Sequence, residues 1–493
     1  MTLSRIVGAG ALVSFLGCAS TPPPLPEPPV IARAATPVKP ITSSPIVLTS
    51  AELPEAASSV PIPDTNFEEQ LPIDLPTVLR LVDANNPAIG FARAKVSEAQ
   101  ARLDKAELQW IPNLSVGAAY NHFDGQTQNQ RGEVFGTSRG NLFAGGGIAL
   151  GLDFAEAIYR PLIERQRKAG DDFRYQSAIL GSELDAVIAY LDLVQVHAQI
   201  AINADTLEKA QSMHKAAKDA QAAKLDRTAG DVQRAQTEVL FREQERIDLE
   251  GRAGAASARL GRFLLIPETV KLLPADAAVA PVTLIDAGQS LKSLVALGVQ
   301  NHPQLAANRA ELTAAWERVA LAKKAAILPK LAVVDQVGGF GGGFNDDLQN
   351  FDARNALGVQ LFWELRNFGL GNQADIAQHR AVVDQRNYQL LDSQARLVAE
   401  IVDAAQIAKA KANSLAIAEQ AVKEATELYR IAKEGTFNVI DAKNLFDALR
   451  PLQAIQTLNQ ARLNYLATVI DYNRAQYRLF TALGHAPQCA VAR

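Results

Sequence analysis

The chain has 493 residues, of which 48% are hydrophobic, 21% charged and 6% aromatic, with a net charge of −4. That apolar content excludes a disordered polymer, and the near-neutral charge gives no footing to nucleic acid or anionic lipid as partner. Much of the apolar content is alanine, the strongest helix former and small enough to let helices approach closely, so long packed helices are favoured over a bulky globular core. The two cysteines, Cys18 and Cys489, lie outside any C-x-x-C spacing and the six histidines are scattered, so no metal or redox site is expected. No H-E-x-x-H, G-x-S-x-G or Walker loop occurs, and the glycine-rich run Gly338 to Gly343 lacks the dinucleotide pattern. No catalytic residue and no cofactor is expected.

Residues 1–17 carry one positive charge, Arg5, followed by an apolar stretch from Ile6 to Leu16. This is the size and order of a secretory signal peptide, and too short to span a bilayer as a helix. The stretch ends in Phe15-Leu16-Gly17-Cys18, which resembles the lipobox of bacterial lipoproteins, although Phe15 stands where leucine is usual. The resemblance implies that Cys18 is lipidated, and Ala19 after it fits transfer to the outer membrane. The alternative is an ordinary signal peptide cleaved nearby. One lipid chain gives only marginal membrane binding, so a second membrane element is expected. A proline-rich tether follows over residues 18–70, extended and without apolar periodicity.

The remainder says one thing twice. Asn86-Pro87-Ala88-Ile89 and His302-Pro303-Gln304-Leu305 each open an alanine-rich helical segment. Proline is well placed in a first helical turn, with Asn86 a good cap before it. Each segment ends in a second proline, Pro112 and Pro329. The offsets are 216 (303 − 87) and 217 (329 − 112), which marks a duplication.

After each second proline the period switches to alternation. Leu114, Val116, Ala118 and Tyr120 share one face, opposed by Ser115, Gly117, Ala119 and Asn121. Leu142 to Leu152 repeats the pattern, as does Leu357 to Leu365. The strand at about Lys330 to Phe340 alternates less cleanly, with Asp335 on the face of Val333 and Val337. Runs of about ten residues with one apolar and one small or polar face match strands of a transmembrane β-barrel. A soluble hairpin pair on a helical protein is the alternative.

Each hairpin leads into a long helical tract, about 155–263 and 367–483, with no internal proline except Pro161 and Pro451. If each tract folds back once, each helix has about 50–60 residues and runs roughly 75–90 Å, suited to coiled-coil walls crossing a periplasm. The expected organisation is a signal peptide at 1–17 and the tether at 18–70. A first repeat follows at 71–280, with a hairpin at 113–154 and a helical hairpin at 155–263. A second repeat fills 281–484, with a hairpin at 330–365 and a helical hairpin at 367–483, and 485–493 form a tail. Four strands cannot close a barrel, and open sheet edges are forbidden in lipid, so lipid-embedded strands require oligomerisation.

Repeat, hairpins and helix pairs together resemble the TolC-type outer-membrane efflux family, over about residues 71–484. The final helix, Asp471-Tyr472-Asn473-Arg474-Ala475-Gln476 … Leu479 … Ala482-Leu483-Gly484, is similar to the family's closing D-Y-N-x-A-Q … L … A-L-G. The resemblance implies an α+β membrane protein, in which a homotrimer pools its strands into a 12-stranded transmembrane β-barrel continuous with a periplasmic α-helical barrel. It implies an exit channel of a tripartite efflux pump or type I secretion system, working with a periplasmic adaptor and an inner-membrane pump in outer-membrane lipid. It also implies turns at the periplasmic helix ends, at 227–235 and 434–442, whose acidic residues line a closed aperture. Asp441 is the first such candidate, Asp231 the second, and Asn438 stands where some members carry a further aspartate. A carboxylate that caps or solvates a helix near a turn is the other reading of Asp441. A periplasmic coiled-coil scaffold or adaptor without a membrane barrel remains the alternative function.

Overall fold

The computed structural model describes residues 69–223, 230–267, 269–276, 279–286, 288–345, 347–437 and 448–491. Cys18, Asn438 and Asp441 lie outside the described residues.

The first repeat opens with strand β1 (Glu69–Ile73) and helix α1 (Leu75–Asn85), capped by the Asp74 carboxylate, which accepts from the Thr77 amide at 3.0 Å. Pro87 has no amide hydrogen to continue α1, and a new helix, α2 (Pro87–Glu107), starts there. Asn86 joins the two: its amide closes α1 on the Val82 carbonyl, and its side chain caps α2 through the Ala88 amide at 2.9 Å. Strands β2 (Asn113–Gln128) and β3 (Val134–Asp153) form the first hairpin. β3 runs directly into helix α3 (Phe154–Ala222), with Asp153 as its cap.

Helix α3 has 69 residues, about 100 Å at 1.5 Å per residue, and its return partner α4 (Asp231–Leu264) has 34. The two helices are therefore unequal, and not about 50–60 residues each; the break between them lies two-thirds of the way along the tract, beside the turn that the family resemblance implied at 227–235. The missing length of wall comes from α2. The Asn85 and Asn86 side-chain amides reach the Leu264 and Phe263 carbonyls at the end of α4, each at 3.4 Å. Helices α4 and α2 thus stack end to end along α3. Asn203–Glu245 (2.9 Å) ties the inner part of α3 to α4, and Arg102–Asp171 and Arg165–Glu107 tie its outer part to α2.

The second repeat reproduces the plan. Strand β4 (Val270–Pro274) pairs in parallel with β1, a contact that the five-residue segments with prolines did not announce. Helix α5 (Leu291–Asn301) ends at His302, whose imidazole Nδ1 accepts from the Gln304 amide at 3.2 Å and caps α6 (Pro303–Lys324). The second hairpin, β5 (Lys330–Phe344) and β6 (Asp352–Phe362), leads into α7 (Leu370–Phe437, 68 residues), followed by α8 (Leu449–Ala482, 34 residues) and a short α9 (Gln488–Val491). The second tract also splits two to one. Unlike the first, its strand-to-helix link passes through Asn367 and Phe368 in left-handed backbone, φ +48° and +55°.

Buried alanines line the seams between helices: Ala186, Ala210 and Ala217 of α3, Ala235 and Ala253 of α4, Ala404 of α7. A methyl is the largest group that lets two long helices run this close without bulges. Large apolar side chains concentrate where the stacked helices meet, with Val78, Val82, Tyr190, Leu193, Leu260 and Leu272 in one cluster and Leu294, Leu305, Ile401 and Leu483 in its second-repeat counterpart.

The closing motif of α8 explains how the segment between the repeats is held. Buried Asn473 accepts from the Val282 amide (2.7 Å) and donates to the Ala280 carbonyl (2.9 Å). Gln476 accepts from both the Leu284 and Ile285 amides, at 3.1 and 3.0 Å. These side chains supply the partners that a second strand would otherwise give. Asn473→Ala is expected to destabilise the fold by about 1–3 kcal/mol, since it leaves a buried amide and carbonyl unmet. A thermal melt and limited proteolysis should show a lower midpoint and faster cleavage at 280–290; unchanged cleavage would remove the clamp.

Candidate functional site

The two hairpins join in one antiparallel sheet, ordered β2-β3-β5-β6. Register puts Leu114 opposite Ile148, Leu152 opposite Leu331, and Val333 opposite Val359. Residues of this parity form one continuous apolar face, and it is open to the surroundings: Val116 is 83% exposed and Leu357 69%. Asp335 interrupts it between Ile148 and Leu357, and toward the outer end the same parity turns polar at His122, Asp124 and Asn355. The opposite face carries Ser115, Gly117, Asn121, Gly147, Gln336 and Gln360. There Gly145 and Gly338 face each other, and a Cβ on Gly338 would collide with the Ala144 carbonyl oxygen, so the strands close in only because both are glycine.

Within one chain the sheet is open. β2 and β6 each pair on one side only, leaving two unpaired edges, 16 and 11 residues long. At the base of the sheet, Lys330 bridges Asp153 (3.2 Å) and Glu364 (2.6 Å). Around the same level aromatic groups stand out. The Trp363 indole donates to the Ile327 carbonyl at 3.1 Å, Trp110 stacks edge-on against Phe154, and Phe368 is fully exposed although its backbone is strained. An exposed apolar ring held out by left-handed backbone is costly in water.

No described helix is long and apolar enough to cross a membrane. Among the described residues no group of three or more His, Cys, Asp or Glu could hold a metal. Asp231, the one aperture candidate among the described residues, is the first residue of α4, after Gly230 in left-handed backbone (φ +103°). It is only 2% exposed and its carboxylate pairs with Arg234 at 3.0 Å. That partner is on the same helix, and the other carboxylate oxygen, Oδ2, is buried without a hydrogen-bond partner among the described residues. In the second tract, Glu434 and Gly435 still belong to α7, so the helix runs on into the segment where the sequence suggested a turn.

A second polar feature was not foreseen. Glu183 of α3 is fully buried, and its Oε2 accepts the Gln488 amide of α9 at 3.0 Å. Asp83 of α1 faces it, and among the described residues Asp83 Oδ1 and Glu183 Oε1 are buried with no partner outside the carboxyl pair itself. Burial first, and the neighbouring Asp83 with it, pushes the Glu183 carboxyl from 4.5 up to about 7; burial also raises Asp83. No local motif marks the pair, because its members lie on separate helices.

No protein-family model and no curated protein sequence matches the chain. Its structure, however, is similar to solved outer-membrane proteins. A membrane protein from Pseudomonas aeruginosa superposes with a TM-score of 0.70 at 16% identity, covering 83% of this chain and 92% of that one. The outer-membrane channel CmeC of Campylobacter jejuni gives 0.69 at 16% identity, covering 88% and 94%. The outer-membrane protein VceC of Vibrio cholerae gives 0.66 at 17% identity, covering 84% and 96%. The chain has the TolC-type outer-membrane channel fold.

The carboxyl pair yields a pH dependence. Glu183 has a raised folded-state value, so the fold is favoured while the group is protonated. Its contribution is full below about pH 4.5 and is lost as pH rises toward 7. Glu183→Gln should therefore raise the melting midpoint at pH 7.5 relative to the parent and leave it nearly equal at pH 4. A parallel pH series of melts checks this; a uniform loss at both pH values would refute the assignment.

Proposed function

We propose that this chain is the outer-membrane exit channel of a tripartite efflux pump or type I secretion system, conducting its substrate passively as a homotrimer. One observation carries the reading: a four-stranded sheet with an exposed apolar face and two unpaired edges. In water such a face and such edges invite aggregation. In lipid the face is at home, and the edges become an obligation, since each unsatisfied backbone group costs several kcal/mol. Pairing β2 of one copy with β6 of the next satisfies both edges, and three copies give twelve strands. Exposed Trp110, Trp363 and Phe368 at the base suit the headgroup level. The likeness to outer-membrane channels supports the same reading. Asp335 would cost about 2–3 kcal/mol on the lipid face, against a surrounding surface of leucine, valine and isoleucine.

In this reading the long helices form the periplasmic wall and meet an adaptor and an inner-membrane pump. Cys18 carries the lipid anchor. Asp441 leads the aperture candidates, because Asp231 is buried and paired with Arg234 of its own helix; Asn438 is the third.

Light scattering on detergent-extracted particles from the outer-membrane fraction should give a trimer mass; a stable monomer would sink the channel reading and favour the periplasmic scaffold. Val359→Lys should block membrane assembly, at about 2–4 kcal/mol for a midplane cation, while Gln360→Lys on the other face is tolerated. Equal membrane yields of the two variants would argue for the scaffold. Asp441→Ala should change cation block or leak in planar bilayers; unchanged conductance would remove Asp441 from the aperture.

A further inference from the structure

We propose that the outer end of the small-residue face binds organic anions carrying an aromatic ring, at a site built on Arg139 and the phenylalanines around it. The inference rests on the channel reading, in which that face lines the conduit.

A cavity of about 470 Å³ opens there, bounded by Phe135, Thr137, Arg139, Phe340, Phe344 and Asn350. Most of the face is glycine, alanine, serine and short amides, so this cluster of rings is an exception. Register explains how it assembles: Arg139 lies opposite Phe123 on β2 and Phe344 on β5. The Arg139 guanidinium sits 5.3 Å from the Phe123 ring centroid. Deeper in, Arg354 lies 4.8 Å from the Phe340 ring centroid, opposite Gly338, where no side chain covers it.

Neither arginine forms an ion pair among the described residues, in contrast to Arg174, Arg242 and Arg474, which do. A guanidinium laid against a ring keeps its in-plane N–H donors free. Those donors match the two oxygens of a carboxylate or sulfonate, and the neighbouring phenylalanine faces take a flat ring. One carboxylate shares this face nearby, Asp352 opposite Phe340, and it accepts from the Ala353 amide instead of pairing with either arginine. The arrangement thus selects charge and ring together. A cation meets two arginines, and an aliphatic anion leaves the rings unused.

The probe is naphthalene-2-sulfonate, measured by equilibrium dialysis against the detergent-solubilised full chain, with the same preparation tested for conductance in planar bilayers. Saturable binding is expected, weakened about tenfold by Arg139→Gln and less by Arg139→Lys, which keeps charge without the fork. Uncharged 2-naphthalenemethanol should bind about tenfold more weakly than the sulfonate. Light scattering confirms that each variant keeps the parent's mass. Absence of saturable binding, or binding indifferent to Arg139→Gln in a particle of parental mass, overturns the site. Arg139-dependent binding without conductance sinks the channel reading and leaves the site standing.

Discussion

A sheet that cannot satisfy its own edges governs this molecule. Four strands of 11 to 20 residues present two rows of unpaired amides and carbonyls. Side chains cannot satisfy such rows over that length; another strand can. Register is favoured by the alternation, since the leucines of all four strands share one face and a slip of one residue would turn every one of them to the wrong side.

The helical part solves a different problem, that of making a wall longer than any single return helix. Helices α3 and α7 run its whole length, and each is covered by two shorter helices placed end to end. Such a joint needs somewhere to hide four unmet carbonyls and four unmet amides. The Asn86 side chain serves both sides of it, capping α2 and donating to the end of α4. The second joint uses His302 as its cap, and a Cβ on Gly484 there would come within 3.0 Å of the Asn301 carbonyl. The large apolar clusters gather at these joints because the alanine seams elsewhere bury little area per contact.

Much of this was legible in the sequence because it repeats. The two N-P and H-P starts, the second prolines and the alternation after them locate α2, α6 and the inner ends of the strands, while β2 and β3 extend into the polar stretch, to Gln128 and from Val134. The uneven split of the tracts was not legible in composition, and only the family resemblance, with turns at 227–235 and 434–442, placed the breaks off-centre. An alanine-rich tract is a good helix former throughout, so propensity sets no turn within it, and Gly435, which looked like a turn residue, sits inside α7. The pairing of β1 with β4 was hidden as well, since Pro72 and Pro274 read as loop residues and the two segments are parallel and far apart. The closing D-Y-N-x-A-Q pattern was visible as a resemblance, but its task was not: Asn473 and Gln476 act on backbone some 190 residues away. The same distance hid Glu183 and Asp83. The apolar face was readable from alternation alone, whereas Arg139 and Arg354 gained meaning only when register set them against particular rings.

The duplication is not perfect, and its largest departure lies where sheet meets helix. In the first repeat β3 passes straight into α3, and one carboxylate, Asp153, caps the helix. In the second, the link from β6 to α7 takes a turn through Asn367, Phe368 and Gly369, all with positive φ. β3 and β6 lie in one sheet with β5 between them, and the twist accumulated across those two steps keeps both from continuing into helices along the same line. One helix can follow its strand; the other must be re-aimed before it packs. The strained link does this, and Arg366 holds it, its amide donating to Asn372 at 3.0 Å and its guanidinium pairing with Asp375 at 3.0 Å. The asymmetry between two halves of one ancestral unit is thus a geometric consequence of placing both in a single twisted sheet.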